Sequence, residues 1–179
     1  MKHRGGVCYR RWVSSNTFYL HKMRVRMKFL ELKIPPLFLV VICITLMWWI
    51  NGDSLGVLVT LSYRLAASVI LLLAAILCCY LGVREFAVHK TTVDPMHPDS
   101  SSQLVQSGIY QYTRNPMYVG FALLLLAAAV FLGHPIALLF VPLFMIYMTI
   151  FQIKPEEVAL TQLFGSSYTD YTNKVRRWL

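Results

Sequence analysis

The chain has 179 residues, of which 57% are hydrophobic and only 14% are charged, and its formal net charge is +9. An average soluble domain carries about 25% charged residues, so this composition favours a membrane protein of one domain and excludes a disordered chain. Because residues 1–33 hold nine Lys/Arg and one acid while the remainder is nearly neutral, a basic nucleic-acid-binding face is excluded as well.

Residues 1–33 are predicted to form a basic N-terminal extension, partly disordered, before a membrane domain over 34–179. Anionic lipid headgroups and the positive-inside rule explain a basic stretch next to an apolar helix, so we expect this extension in the cytoplasm. Met27 would be a natural start before the first helix, so residues 1–26 are interpreted as a poorly ordered extension or the product of an upstream start codon. A cleavable signal peptide fits poorly, because no small-residue cleavage site follows the first apolar run.

Three uncharged runs follow, and the last of them, 115–153, contains no Asp, Glu, Lys or Arg and a single histidine, His134. A spanning helix needs about 20 residues, so this last run predicts two helices. Pro135 cannot continue a helix but fits the start of one, which places the break at 133–135. We therefore predict an all-α integral membrane protein with four transmembrane helices at about 34–51, 61–83, 117–132 and 136–153, the last two forming a helical hairpin.

The loops predict the orientation of these helices. Loop 52–60 contains Asp53 and no Lys or Arg, so we expect it outside, with both termini and loop 84–116 in the cytoplasm. Beyond the hairpin, residues 155–179 break at Gly165 and predict two short helices on the membrane surface.

Two polar segments flank the predicted hairpin at its cytoplasmic end. Pro116 fits the first turn of helix three, and Pro155 is expected to restart a helix directly after helix four. Because antiparallel helices bring these ends together, we expect a shared pocket at the membrane surface. Its expected lining is Arg114, Tyr118, Glu156 and Glu157. Two adjacent carboxylates near hydrocarbon are costly without a cation, which Arg114 or a bound ligand could supply.

Two ordered motifs carry a resemblance. The first is Leu104-Val105-x-Ser107-Gly108-x-Tyr110-x-x-x-Arg114-Asn115-Pro116-x-Tyr118-x-Gly120, and the second is Glu156-Glu157-x-x-Leu160-x-x-x-Phe164-Gly165-x-x-Tyr168-x-x-Tyr171-x-x-x-Val175-Arg176-Arg177. Together they resemble the isoprenylcysteine carboxyl methyltransferase family. With the phospholipid N-methyltransferases, that family forms a wider group of integral-membrane enzymes that use S-adenosyl-L-methionine. The resemblance covers residues 104–179.

The resemblance implies S-adenosyl-L-methionine as the cofactor and gives roles to individual positions. The cofactor-binding residues that it implies are Gln103, Leu104, Val105, Tyr110, Asn115, Glu156 and, beside it, Glu157. Tyr118 is a further candidate cofactor-binding residue, and we expect Tyr110 or Tyr118 to lie against the adenine or the cation. Arg114 is the candidate catalytic residue, orienting an anionic acceptor or headgroup.

Two positions depart from the family pattern. Asn115 stands where the prenylcysteine enzymes usually have His, and Gln152 stands where they have an arginine that helps to hold the prenylcysteine. Both departures point away from a prenylcysteine substrate. The acceptor therefore stays open among carboxylates, amines and thiols.

The predicted function is methyl transfer to a membrane-embedded or amphiphilic acceptor, a lipid or lipid-like substrate, at the cytoplasmic face. One alternative is a non-enzymatic membrane accessory protein that keeps the hairpin only as architecture. Another is a related membrane reductase with the same hairpin, and cofactor binding distinguishes the three.

Ligand-type side chains also occur in loop 84–116, but we predict no metal site there. His89, Asp94, His97 and Asp99 have an irregular spacing, interrupted by prolines, that matches no standard metal pattern. The sequence does not indicate an oligomeric state.

Overall fold

The computed structural model describes residues 32–50, 60–89 and 103–179, and the regular elements in those ranges are all helical. In chain order they are α1 (Pro36–Ile50), α2 (Leu61–Val88), a 3₁₀ helix (Gly108–Gln111), α3 (Pro116–Leu132), α4 (Pro135–Leu138), α5 (Phe140–Met148), a π-helical turn (Thr149–Ile153), α6 (Lys154–Phe164) and α7 (Ser166–Lys174). The all-α prediction is confirmed for these ranges. Most of the predicted N-terminal extension and outer loop, and Asp94, His97 and Asp99, lie outside them.

Two stretches of the described chain are long and apolar enough to cross a membrane. They are Leu61–Val88 and Pro135–Phe164, the latter containing α4, α5, the π-helical turn and α6. Helices α1 and α3 are apolar but shorter, with 15 and 17 residues. The structure therefore gives two candidate spans, while the four crossings stay a prediction.

Helix α3 lies at the centre of the described core. Its Leu125 and Ala129 are buried in one cluster with Met47 of α1 and Phe144 of α5. Along another face α3 packs closely on α2, where a Cβ on Gly120 would meet the Cys79 sulfur and the Ala75 carbonyl oxygen. Such small-residue contacts let two membrane helices approach at backbone distance.

Helix α2 is longer than the sequence predicted. It ends at Val88 rather than 83, and the extra residues include Glu85. The prediction ended the helix before the first charged residue, Arg84. Charged residues mark the end of an apolar span but do not end a helix, so the helix continues beyond the apolar segment. The last turns of α2 therefore extend alongside the 3₁₀ helix.

Pro155 lies in the first turn of α6, as predicted, but no break in the helix precedes it. The hairpin helix continues through the π-helical turn, in which the Lys154 N–H bonds the Thr149 carbonyl five residues back. Proline has no N–H to offer the Phe151 carbonyl, and that carbonyl instead accepts from the Leu32 N–H at 3.2 Å. The predicted break at Gly165 is confirmed, since α6 ends at Phe164 and α7 begins at Ser166.

Candidate functional site

Glu156 joins the two arms of the hairpin. The Tyr118 hydroxyl, on the first turn of α3, donates to Glu156 Oε1 at 2.5 Å. The Gln152 amide, one turn before Glu156, donates to the same oxygen at 2.6 Å. Both donors are neutral, and no Lys or Arg of the described ranges forms a salt bridge with Glu156. A negative charge on Glu156 would therefore have hydrogen bonds but no counter-ion there.

Glu157 has the opposite environment. Arg114 Nη2 lies 3.2 Å from Glu157 Oε1, and Arg177 donates from Nε at 2.9 Å and from Nη2 at 2.7 Å. The side chains of Arg114 and Glu157 are only 12% and 18% exposed, so this network is largely shielded from water. The hydrogen bonds that Arg177 donates to Glu157 raise the pKa of Arg177. Among the residues that the structure describes, Glu157 is thus neutralised by arginines, whereas Glu156 has no such partner.

Arg114 keeps one unused donor. Its Nε is buried and has no hydrogen-bond partner in the described part of the chain. A buried donor without a partner costs about 1–3 kcal/mol. This atom therefore marks a place where an acceptor oxygen would be bound favourably.

An extended segment after α7, residues 175–179, forms a strap across both arms. The Arg114 N–H donates to the Arg176 carbonyl at 3.0 Å, and the Asn115 amide donates to the Arg177 carbonyl at 2.9 Å. On the other arm, the Trp178 indole donates to Thr149 Oγ1 at 3.1 Å. The Asn115 side chain, implied as a cofactor contact, is thus engaged by the strap in this structure.

Tyr110 is buried next to this junction. Its carbonyl accepts from the Tyr171 hydroxyl at 2.7 Å, and its ring meets Phe86 edge-on at 5.5 Å between centroids. Burial, with smaller contributions from Tyr171, Glu156 and Glu85, raises the pKa of Tyr110 far above its usual value. Burial likewise raises the pKa of Tyr168 to about 12. Both phenols are therefore neutral donors at physiological pH.

The four side chains expected to share a pocket lie together. Arg114 contacts Glu157, and Tyr118 contacts Glu156. In the extended segment before the 3₁₀ helix, Gln103 is exposed, Leu104 is half-buried and Val105 is buried. The roles of all these residues toward a ligand stay predictions.

Sequence reasoning missed Glu85. The Ser107 hydroxyl donates to Glu85 Oε2 at 2.5 Å, which links the end of α2 to the segment before the 3₁₀ helix. The sequence feature that could have indicated it is an acidic residue directly after Arg84, at the end of the second apolar run. Its partner was hidden, because Ser107 lies 22 residues further along the chain.

The Glu157 network gives a stability prediction. Glu157→Ala leaves Arg114 and Arg177 without their carboxylate, so we expect a loss of about 2 kcal/mol, below the ~3–5 kcal/mol of a fully buried pair. Arg177→Ala leaves one cation per carboxylate, and we expect a loss of about 1 kcal/mol or less. Thermal unfolding of the purified chain in detergent measures both. An exposed acid, Asp170→Ala, is the control, and equal melting temperatures for Glu157→Ala and this control would contradict the prediction.

Comparisons with known proteins identify relatives. The family described as phospholipid methyltransferase matches residues 63–167. The protein-S-isoprenylcysteine O-methyltransferase of Schizosaccharomyces pombe is 39% identical over 72 residues, which cover 40% of this chain and 30% of that protein. The Saccharomyces cerevisiae protein of the same name is 29% identical over 127 residues, 64% of this chain and 50% of that protein.

A shorter relative is matched along its whole length. An uncharacterized protein of Haemophilus influenzae is 44% identical over 63 residues, 35% of this chain and 100% of that protein. The chain thus spans half or less of the two yeast methyltransferases it matches. Among solved structures, none matches this chain.

Proposed function

Because the chain belongs to the phospholipid methyltransferase family, we propose that it transfers a methyl group from S-adenosyl-L-methionine to a membrane-embedded or amphiphilic acceptor at the cytoplasmic face. The observation that carries this proposal is the contrast within the acidic pair. Within the described ranges, Glu157 has two arginine partners, whereas Glu156 accepts hydrogen bonds from the neutral Tyr118 and Gln152 and forms no salt bridge.

A cationic ligand suits Glu156. A carboxylate at the edge of hydrocarbon is costly unless a positive charge compensates it, and both the sulfonium and the ammonium group of the donor are cations. Since Tyr118 and Gln152 share Oε1, Oε2 is the oxygen expected to receive the ligand. The two neutral donors hold the carboxylate in place, and this pre-orders it for binding.

An anionic group suits Arg114 Nε, the buried donor that has no partner in the described ranges. The candidate groups are the carboxylate of the donor and an anionic group of the acceptor. Either choice places Arg114 in the binding site while its Nη2 stays paired with Glu157. We propose Gln103, Leu104, Val105, Tyr110 and Asn115 as further contacts on the strength of the family motif alone.

The mechanism follows from positioning. When bound, S-adenosyl-L-methionine supplies an electrophilic methyl group attached to a cationic sulfur. Glu156 and Arg114 fix the two ends of the site, and holding reactants in line supplies most of the acceleration in such transfers. We expect the strap, which is hydrogen-bonded to Arg114 and to Thr149, to keep water away from the reacting atoms.

The proposed topology has four crossings, with both termini in the cytoplasm and the domain extending over 34–179. At 1.5 Å per residue, α1 and α3 are about 22 and 25 Å long, which is short of a bilayer core of about 30 Å. Local thinning of the bilayer compensates such a mismatch. Helices α6 and α7 then bring the acidic pair and the strap to the inner surface.

The proposal is tested by calorimetry on the purified full chain in detergent or lipid nanodiscs. We expect saturable binding of S-adenosyl-L-methionine and of S-adenosyl-L-homocysteine, and transfer of labelled methyl groups to membrane lipids or to an amphiphilic acceptor. Absence of heat with both compounds would overturn the proposal. Binding of a nicotinamide cofactor instead would favour the reductase alternative.

A further inference from the structure

The last turns of α2 contact the segment that precedes α3. The Ser107 hydroxyl donates to Glu85 Oε2 at 2.5 Å, and the next residue along the helix, Phe86, packs edge-on against Tyr110. Two consecutive residues of α2 therefore hold both ends of the short 3₁₀ helix. This contact lies outside the network of Arg114, Glu157 and the strap.

Gly108 makes the contact with Glu85 tight. Its φ of +56° lies in the left-handed region, and a Cβ there would collide with the carboxylate of Glu85. The carboxylate is thus packed directly on the turn as well as bonded to Ser107. Moving Glu85 would move the turn.

The turn leads directly into Tyr110, whose backbone carbonyl is fixed by Tyr171 of α7. The 3₁₀ helix is consequently held between α2 and α7. On the α2 side, the polar contact is the hydrogen bond between Glu85 and Ser107. Residues 104–110, which include the first part of the 3₁₀ helix and the segment before it, carry three of the proposed donor contacts, Leu104, Val105 and Tyr110. The position of these residues relative to Glu156 therefore depends on Glu85.

We propose that Glu85 is a positioning residue for the methyl donor, acting through Ser107 and Gly108 to hold residues 104–110. This inference rests on the proposed function, because it concerns affinity for the donor. In this proposal Glu85 positions the segment by accepting a hydrogen bond from Ser107, and its negative charge is not required. The affinity for the lipid acceptor should be unaffected by changes at Glu85.

The test compares donor affinity and the two KM values for the full chain in detergent. We expect Glu85→Ala and Ser107→Ala each to weaken donor binding about five-fold, the size of effect for losing an ordinary hydrogen bond. The double variant should be no weaker than either single one, since both remove the same contact. Glu85→Gln keeps an acceptor oxygen and should restore most of the affinity, and the KM for the acceptor should stay unchanged throughout.

Arg84→Ala, at the exposed neighbouring position, is the matched control and should bind donor as the unaltered chain does. Ser107→Ala leaves the carboxylate in place, so it tests the contact even if Glu85→Ala fails to fold. Normal donor affinity in Ser107→Ala would overturn the inference while leaving the proposed function standing. A Glu85→Gln as weak as Glu85→Ala would also overturn it, because the charge would then be the acting feature. Absence of donor binding in the unaltered chain would overturn both proposals.

Discussion

Glu156→Gln is expected to reduce binding of S-adenosyl-L-methionine at least about 100-fold, the equivalent of about 2.7 kcal/mol. The side-chain amide oxygen of glutamine can still accept from Tyr118 and Gln152, which both donate to Oε1 in the structure. The substitution therefore keeps the shape of the site and removes only its negative charge. Truncating one partner of a shielded charge pair costs about 2–5 kcal/mol, which sets the size of the effect. Calorimetry with the donor measures it.

The control for this substitution is another acid-to-amide change in the same region. Asp170→Asn alters an exposed side chain of α7 and should leave donor affinity unchanged. Melting temperatures of both variants should stay close to that of the unaltered chain, because neither creates a cavity. Donor affinity of Glu156→Gln within about three-fold of the unaltered chain would remove the charge argument on which the proposed site depends.

The elements that were predicted correctly carry local signals. Gly133 and Pro135 punctuate the apolar run of the hairpin, and the structure ends α3 at Leu132 and begins α4 at Pro135. Gly165 separates α6 from α7 with a φ of +57°, a conformation that glycine adopts without strain. The contact between Arg114 and Glu157 also followed from topology. Arg114 precedes the first helix of the hairpin and Glu157 follows the second, and an antiparallel hairpin brings these two ends together.

The features that were missed depend on contacts between distant parts of the chain. The helix continues through Pro155, and the Phe151 carbonyl that the proline cannot bond accepts instead from Leu32, a residue far away in sequence. The strap is held largely through backbone carbonyls of Arg176 and Arg177, and backbone groups leave no mark on residue types. The role of Glu85 was missed for the same reason. One acidic residue near a helix end indicates neither how far the helix extends nor which residue the acid contacts.

The difference between Glu156 and Glu157 was also beyond the sequence. Adjacent residues on a helix point about 100° apart, so one reaches Tyr118 and the other reaches the two arginines. The second arginine, Arg177, comes from the strap, whose path the sequence did not indicate. The resemblance grouped both acids with the cofactor, whereas in the described part of the chain only Glu157 has arginine partners.

Gly120→Val is expected to destabilise the fold by about 3 kcal/mol, the upper range for overpacking a close contact. A Cβ at this position would meet the Cys79 sulfur, which can move, and the Ala75 carbonyl oxygen at 2.9 Å, which belongs to the α2 backbone. Helix propensity alone would make Gly120→Ala stabilising by about 1 kcal/mol. Because the Ala75 carbonyl cannot give way as a side chain can, we expect the clash to outweigh this gain and Gly120→Ala to lose stability.

Thermal unfolding in detergent measures these effects, and Ala66→Val on the exposed face of α2 is the matched control for adding a branched side chain. Adding Cys79→Ala to Gly120→Ala should recover only part of the loss, because the Ala75 carbonyl remains. Donor affinity should fall together with stability, since α3 carries Tyr118 while α2 carries Glu85, and separating the helices pulls the two sides of the site apart. A Gly120→Val protein as stable as the Ala66→Val control would contradict the close packing of α2 on α3.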